Sequence, residues 1–395
     1  MFSKIIIVGA GISGLTLANF LQKNNFNNFK IYERNNNSVS STTGIQLSPN
    51  AVRILDFLKP KFHLDKVFNK INYLNIHSQD RNEVISKIDF NHLSNDKIPY
   101  ISCSRNNLIK FLNFSISPKN IFYKKKLTQV IRQNKFIVVK FADGSEDECD
   151  LLISADGIFS KTRAERDIIK QTNFTAFRGI IKNFFPHSST TNDVMNLWFG
   201  KDNHVVSYFI NNSNDISFTA VIKNKLRNLN LSQTINFNDE YPKKDFSNLF
   251  LLKNKNFKEL LENIDTIHHW PIYSLKKNIF FRDNQIFIGD SSHGMVPFQA
   301  QGAAQGIEDA YILQELILKQ VTNNLGLFYF NKRNSRIKSI IYRSNINVFI
   351  FHLSNPILVY LRNAFCKLIE KSFFWKKFMF DWIFNYNPRS TNYFF

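Results

Sequence analysis

The run IIIVGAGISGLTLANFL near the start constrains this chain more than any other stretch. Ile5 to Val8 read as a buried strand, a glycine turn follows, and Leu15, Leu17, Ala18 and Leu21 continue as a helix. Such a βα unit suits the pyrophosphate of a dinucleotide. Gly9 permits the tight turn, Gly11 lets the backbone approach the anion, Gly14 lets helix and strand pack closely, and the helix N-terminus presents free N–H groups. A second strand, Phe29 to Tyr32, ends in Glu33, where a carboxylate can accept from a ribose diol and would repel a 2′-phosphate. The ligand is then FAD or NAD.

Two later segments again end a strand in an aspartate turn. CDLLISADGIFSKTR, Cys149 to Arg163, carries Asp156, Gly157, Ser160 and Arg163; IFIGDSSHGMVPFQAQGAAQGIEDAYIL, Ile286 to Leu313, carries Asp290 and then a helix beginning near Gly302 or Ala303. In a parallel sheet these turns border the ligand crevice, so Asp290 can bind the middle of a dinucleotide begun at Gly9. None of the 13 glycines outside Gly9 to Gly14 makes a second G-x-G-x-x-G, so no second, separate Rossmann domain for another dinucleotide is expected.

Together with GIQLSPNAVRIL (Gly44 to Leu55), Arg105 in SRNNLIKFL, Trp270 and Pro271, Gly289 through Asp309, and HLSNP and DWIFNY near the end, these motifs resemble the flavoprotein monooxygenases of the aromatic-hydroxylase type. The salicylate hydroxylase-like branch is the most similar, over nearly the whole chain. The resemblance implies an α/β fold: a Rossmann-like FAD-binding domain (1–75, 105–173 and 274–340), an inserted antiparallel β-sheet substrate domain (76–104 and 174–273), and a C-terminal helical segment (341–395). It implies non-covalent FAD held by Gly9, Gly11, Ser13, Gly14, Glu33, Arg34, Gln46, Arg105, Val130, Asp156, Gly157, Asp290, Gly302 and Ala303. Arg105 would follow the phosphate chain, Asp290 would hold the ribitol, and the Asp156 segment would also serve transient docking of NADH or NADPH.

The implied cycle is flavin reduction, reaction with O2 to a C4a-hydroperoxide, and transfer of OH to an electron-rich ring. The helix starting at about Gly302 would direct its positive end at charge developing on flavin N1 and O2. A dry aromatic pocket would protect the oxidant from water. Alternating runs at Val205 to Ile210 and Ile216 to Ile222 read as antiparallel strands over the flavin. Pocket candidates are Gln46, Arg178, His204, Tyr208, Pro297 and Phe298, with His204 and Tyr208 the candidate bases for a phenol; the plainer reading of both is packing. His293 is read as structural or flavin-adjacent. The stretch SVSSTTG, ending at Gly44, lacks the charges frequent there in relatives.

A net charge of +20 raises nucleic acid or anionic membrane as partners, but lysines are spread along the chain with a single run of three at Lys124 to Lys126, and no nucleic-acid role is expected. Three cysteines without C-x-x-C argue against a disulfide framework or zinc site, and no metal is expected. The strand at Ile5 leaves no room for a preceding signal sequence, and the apolar stretch 349–361 is interrupted by polar residues and Pro356, so a cytoplasmic protein without a spanning helix is expected. The tail from Gly326 to Phe384 reads as helical with a break at Pro356; its basic and aromatic content fits either core packing or peripheral contact with a membrane surface. Three functions follow: hydroxylase of a small phenolic acid, hydroxylase or epoxidase of a quinone precursor or other lipid-like substrate, or flavin binding without turnover.

Overall fold

The computed structural model describes residues 2–36, 43–59, 64–133, 136–184, 191–223, 240–250, 253–321 and 324–389. A six-stranded sheet runs in the order Phe281–Arg282, Gln285–Phe287, Leu151–Ser154, Ile5–Val8, Phe29–Tyr32, Ile121–Phe122. Its neighbours are parallel except for the first pair. Ile5 and Ile7 face the core shared with helices Ile12–Lys23 and Gly302–Leu318, while Ile6 and Val8 face an antiparallel meander of Leu127–Arg132, Ile137–Phe141 and Glu146–Cys149. Burial on both faces explains the unbroken apolar run of the first strand.

The second layer is a seven-stranded sheet: His268–Leu275, Ile169–Ile181, Asp215–Lys223, Asn203–Ile210, Val194–Phe199, Tyr73–Ser78 and Val84–Asp89. The antiparallel expectation holds at every pair except Val194–Phe199 with Tyr73–Ser78, which run parallel. These two strands are far apart in sequence, so no hairpin dictates their relative direction. One face carries Phe218 and Phe177 against Phe246 and Phe257 of two short helices; the other faces the flavin layer. A small sheet of Gly44–Leu47, Tyr100–Ser104 and Asn69–Ile71 joins the layers, with Ser102 Oγ donating to the Phe209 carbonyl at 2.6 Å and the Gly44 amide to Ser217 Oγ at 3.0 Å.

The tail forms three helices, Leu325–Phe351, Pro356–Lys371 and Phe373–Phe384. The first break falls at His352 to Asn355, where the Asn355 side chain caps the next helix and Pro356 starts it; a second falls at Ser372, whose side chain caps the last. No helix among the described residues is long and apolar enough to cross a membrane. All three cysteines are buried and free, and the described residues hold no cluster suited to a metal ion.

Candidate functional site: a cleft from the glycine turn to the sheet wall

Parallel register brings four loops to one edge. Val8 is level with Tyr32 and Ser154, and Ser154 with Phe287, so the turns beginning at Gly9, Glu33, Ala155 and Ile288 leave the sheet side by side. Gly9 has φ +108°, and a Cβ there would strike the Ala155 carbonyl; one on Gly14 would strike the Gly9 carbonyl. Gly11 has open space in front of it, and the helix it precedes has neither a side-chain cap nor an acidic residue in its first turn. That open positive end is what a pyrophosphate needs. Ser13 Oγ lies against Gly289 and Gly306, tying this helix to the third motif.

Glu33 sits beside the glycine turn, accepting from the Ala10 amide at 2.9 Å through one oxygen and from the Asn35 amide at 2.9 Å through the other. Asp156 is turned into its own loop, accepting from the Lys161 and Thr162 amides and Thr162 Oγ1, and leaves Gly157 at the cleft wall. Asp290 is exposed to the cleft, 3.9 Å from where a Gly302 side chain would begin. Arg105 reaches the same space from the start of helix Arg105–Asn113; desolvation pulls its pKa down while Asp290 and Glu33 oppose this. Helix Gly302–Leu318 presents Gly302 and Ala303 to the cleft, with no side-chain cap and no acidic residue in its first turn.

Gly11, Ser13, Arg105, Gly157, Asp290, Gly302 and Ala303 line one cavity of about 600 Å3; Gly9, Gly14, Glu33 and Asp156 lie behind its wall. It continues past Gln46 to the inner face of the seven-stranded sheet, where His204, Val206 and Tyr208 share a side by strand alternation, and closes on Arg178, Trp270, Pro297 and Phe298. All six pocket candidates, Gln46, Arg178, His204, Tyr208, Pro297 and Phe298, therefore line the same cavity. Arg34 is exposed outside the wall, and Val130 packs in the meander, also outside it. Residues 38–42 of SVSSTTG lie outside the described residues.

The polar groups on the sheet side have distinct states. Arg178 Cζ lies 4.5 Å from the Trp270 ring centroid, and its buried Nε has no hydrogen-bond partner among the described residues. Burial, with Arg105 nearby, lowers its pKa to about 10 against the pull of Tyr208, so it stays cationic at neutral pH. Burial pushes Tyr208 up to about 12, opposed by Ser217, Arg178 and Gln46, which makes it a hydrogen-bond donor rather than a base. His204 Nδ1 is 3.1 Å from His352 Nε2, and His352 Nδ1 is 2.6 Å from the Val348 carbonyl. A carbonyl only accepts, so His352 carries its proton on Nδ1, its Nε2 accepts from His204 Nδ1–H, and His204 Nε2 is left as a lone pair. Burial and His352 hold the pKa of His204 well below its usual value, and burial lowers His352 to about 4, so both rings are neutral.

Sequence reasoning missed the support under the Asp290 turn. Arg333 is fully buried, donating from Nε to Asp309 at 2.6 Å and from Nη1 to Glu308 at 2.7 Å. Asp309 also accepts from the Gly289 amide at 2.8 Å and pairs with His293 Nε2 at 2.6 Å, which makes His293 a structural residue. Arg163 Nη1 donates to the Ser291 carbonyl and Nη2 to the Ile158 carbonyl, both at 2.6 Å, locking the second and third turns together. A buried carboxylate pair at Glu308 and Asp309 was the available signal for a buried cation, but nothing local says which arginine supplies it.

Fold and cleft together define a flavin-binding α/β protein in which one dinucleotide site opens onto a β-sheet pocket. The FAD binding domain family model matches residues 3–341, and the chain belongs to that family of FAD-dependent oxidoreductases. It is similar to 6-hydroxynicotinate 3-monooxygenase of Bordetella bronchiseptica, 23% identical over 322 residues (79% of this chain, 82% of the relative). It is also similar to salicylate hydroxylase of Pseudomonas putida, 26% identical over 342 residues (80% and 77%). Among solved structures, a salicylate hydroxylase substrate complex superposes with TM-score 0.77 at 20% identity, covering 97% of this chain and 95% of that one. Klebsiella pneumoniae HpxO complexed with FAD and uric acid gives 0.78 at 18% identity, covering 92% of each. The family and these relatives agree with the aromatic-hydroxylase resemblance and with FAD as cofactor.

Proposed function

We propose that the chain is an NADH- or NADPH-dependent, O2-consuming FAD monooxygenase that hydroxylates a small aromatic ring bearing a phenol and an anionic group. The carrying observation is the cavity that joins the glycine turn to a mostly apolar sheet wall lined by Arg178, whose buried Nε has no hydrogen-bond partner among the described residues, and by His204, whose Nδ1 is engaged by His352. Bound FAD supplies reduction by the nicotinamide and activation of O2. The chain's residues do the rest. Gly11 and the helix behind it receive the pyrophosphate, Glu33 a ribose, Arg105 the phosphate chain, and Asp290 the ribitol. The amides at Gly302 and Ala303 stabilise negative charge on the ring system.

On the substrate side, Arg178 takes a carboxylate and His204 Nε2 accepts the phenolic O–H, which raises electron density on the ring. Tyr208 donates, and Phe298, Pro297 and Trp270 exclude water. Relatives acting by name on salicylate and 6-hydroxynicotinate are consistent with a phenolic-acid substrate. The test is the flavin spectrum of the purified protein, followed by NADH and NADPH oxidation with a panel of phenolic acids and quinone precursors. Failure to bind FAD after reconstitution ends the reading; nicotinamide consumption that yields only peroxide rules out the compound tested.

A further inference from the structure

More than half of the exposed large hydrophobic side chains among the described residues fall within 342–378, on the three terminal helices. On helix Leu325–Phe351, Tyr342, Ile346 and Phe349 repeat at intervals of four and three, one face of the helix, with Tyr342 68% and Phe349 64% exposed. Helix Pro356–Lys371 buries only Arg362, Cys366 and Ile369, while the rest of its circumference carries Ile357, Tyr360, Leu361 and Phe365 in the open. Helix Phe373–Phe384 adds Phe374 and Phe378. A helix apolar on nearly every side belongs against an apolar environment, and this one has it on a single side.

The charges indicate what the environment is. Lys367, Lys371 and Lys377 are exposed among the aromatic side chains, and Lys376 is half-buried; Glu370 and Asp381 are the acidic residues of 356–384. A second copy of the chain would bring these lysines against their own kind, and lysine is depleted from protein interface cores. An anionic lipid surface takes both features: acyl chains and the headgroup boundary accept the aromatic side chains, and lipid phosphates pair with the lysines. The inner sides of the same helices supply Phe351, Phe380 and Phe384 to the wall of the cavity.

We infer that the outer face of the three terminal helices docks the enzyme on the surface of an anionic phospholipid bilayer, without crossing it. The aromatic residues enter the headgroup boundary, the lysines pair with phosphates, and the cavity wall built by Phe351 and Phe380 lies directly behind the docked face. This holds whichever aromatic ring the enzyme hydroxylates.

The test is flotation of the full-length, FAD-loaded protein with vesicles of phosphatidylcholine alone and of phosphatidylcholine mixed with phosphatidylglycerol, at low and high salt. The native protein should float with the phosphatidylglycerol vesicles, and less at high salt. Two variants separate the contributions: Tyr360→Ser with Phe374→Ser and Phe378→Ser keeps the charge, and Lys367→Gln with Lys371→Gln and Lys377→Gln keeps the apolar face. Each should lower the vesicle partition coefficient by about tenfold or more while the flavin spectrum stays native. Absence of native binding overturns the inference. So does undiminished binding of the aromatic variant, because attraction would then be generic to a chain of net charge +20. Sedimentation showing a native dimer that the aromatic variant dissociates, without vesicle binding, reassigns the face to self-association and also overturns it.

Discussion

Arg333 and Arg178 both lie inside this protein, and they occupy opposite situations. Arg333, under the Asp290 turn, spends its guanidinium on Asp309, Glu308 and Gln305. Arg178, on the sheet wall, rests on the face of Trp270 with its Nε unpaired among the described residues. A buried guanidinium nitrogen without a partner is costly, and it suits a place where something outside the chain completes it. Under the Asp290 turn the buried guanidinium is thus matched by carboxylates of the chain, whereas on the sheet wall Arg178 Nε is left without a hydrogen-bond partner among the described residues.

That contrast breaks most easily at Arg333. Arg333→Met should destabilise the fold by about 3–5 kcal/mol and weaken FAD retention, because it strands two buried carboxylates; chemical unfolding followed by flavin fluorescence reads both. A loss near zero would mean that the network is not what holds the turn. The pH dependence has a definite sign. Against the upward push of burial, Arg336 and Arg333 hold Glu308, and His293 and Arg333 hold Asp309, below the ordinary carboxylate range. Depressed carboxylate pKa values stabilise the fold above the unfolded-state values and lose that contribution as pH falls through the folded ones. The stability gap between native protein and Arg333→Met should therefore be full at neutral pH and narrow in acid below the ordinary carboxylate range.

On the unsatisfied side the signs reverse. His204→Phe should lower kcat by about 100-fold with phenolic substrates while flavin binding persists, since an acceptor for the phenol is lost but no cofactor contact is; steady-state kinetics at saturating nicotinamide decides it. Arg178→Met should raise KM for a carboxylated substrate by about tenfold or more and leave stability unchanged or slightly higher, because the cation it removes has no carboxylate partner among the described residues. A destabilised Arg178→Met with unaltered KM would erase the distinction between the two arginines. The smallest effect belongs to the surface: Ile357→Ser should change unfolding free energy by less than about 0.5 kcal/mol in the absence of lipid. A large loss there would mean that protein already covers the helix.

Much of the fold was legible because its signals are local. The boundaries Ile5–Val8 and Phe29–Tyr32 follow from short apolar runs closed by Gly9 and Glu33, and the helix at Gly302 from apolar spacing after a glycine. The strands around Val205 and Ile216 were visible through alternation, though the parallel partner at Tyr73–Ser78 was not, since strand direction across a long connection leaves no local mark. The position of Asp156 after a strand suits a ligand group, and in the structure its carboxylate accepts from the Lys161 and Thr162 amides of its own loop; turn residues often bond their neighbours' amides, and sequence does not show this use.

By itself the sequence determined a dinucleotide cradle, its βα frame and a β-rich pocket, since each depends on the spacing of residues within one or two elements. Tertiary structure decided which buried groups are paired. Asp309 meets Arg333 from the next helix, and His204 meets His352 from 148 residues away, so the tautomer that leaves Nε2 as a lone pair depends on a carbonyl at Val348 that no local pattern points to. It also decided that the tail divides its apolar residues between the cavity wall and the outer surface, because helical spacing shows that a helix has an apolar face but not which side of it the rest of the chain covers.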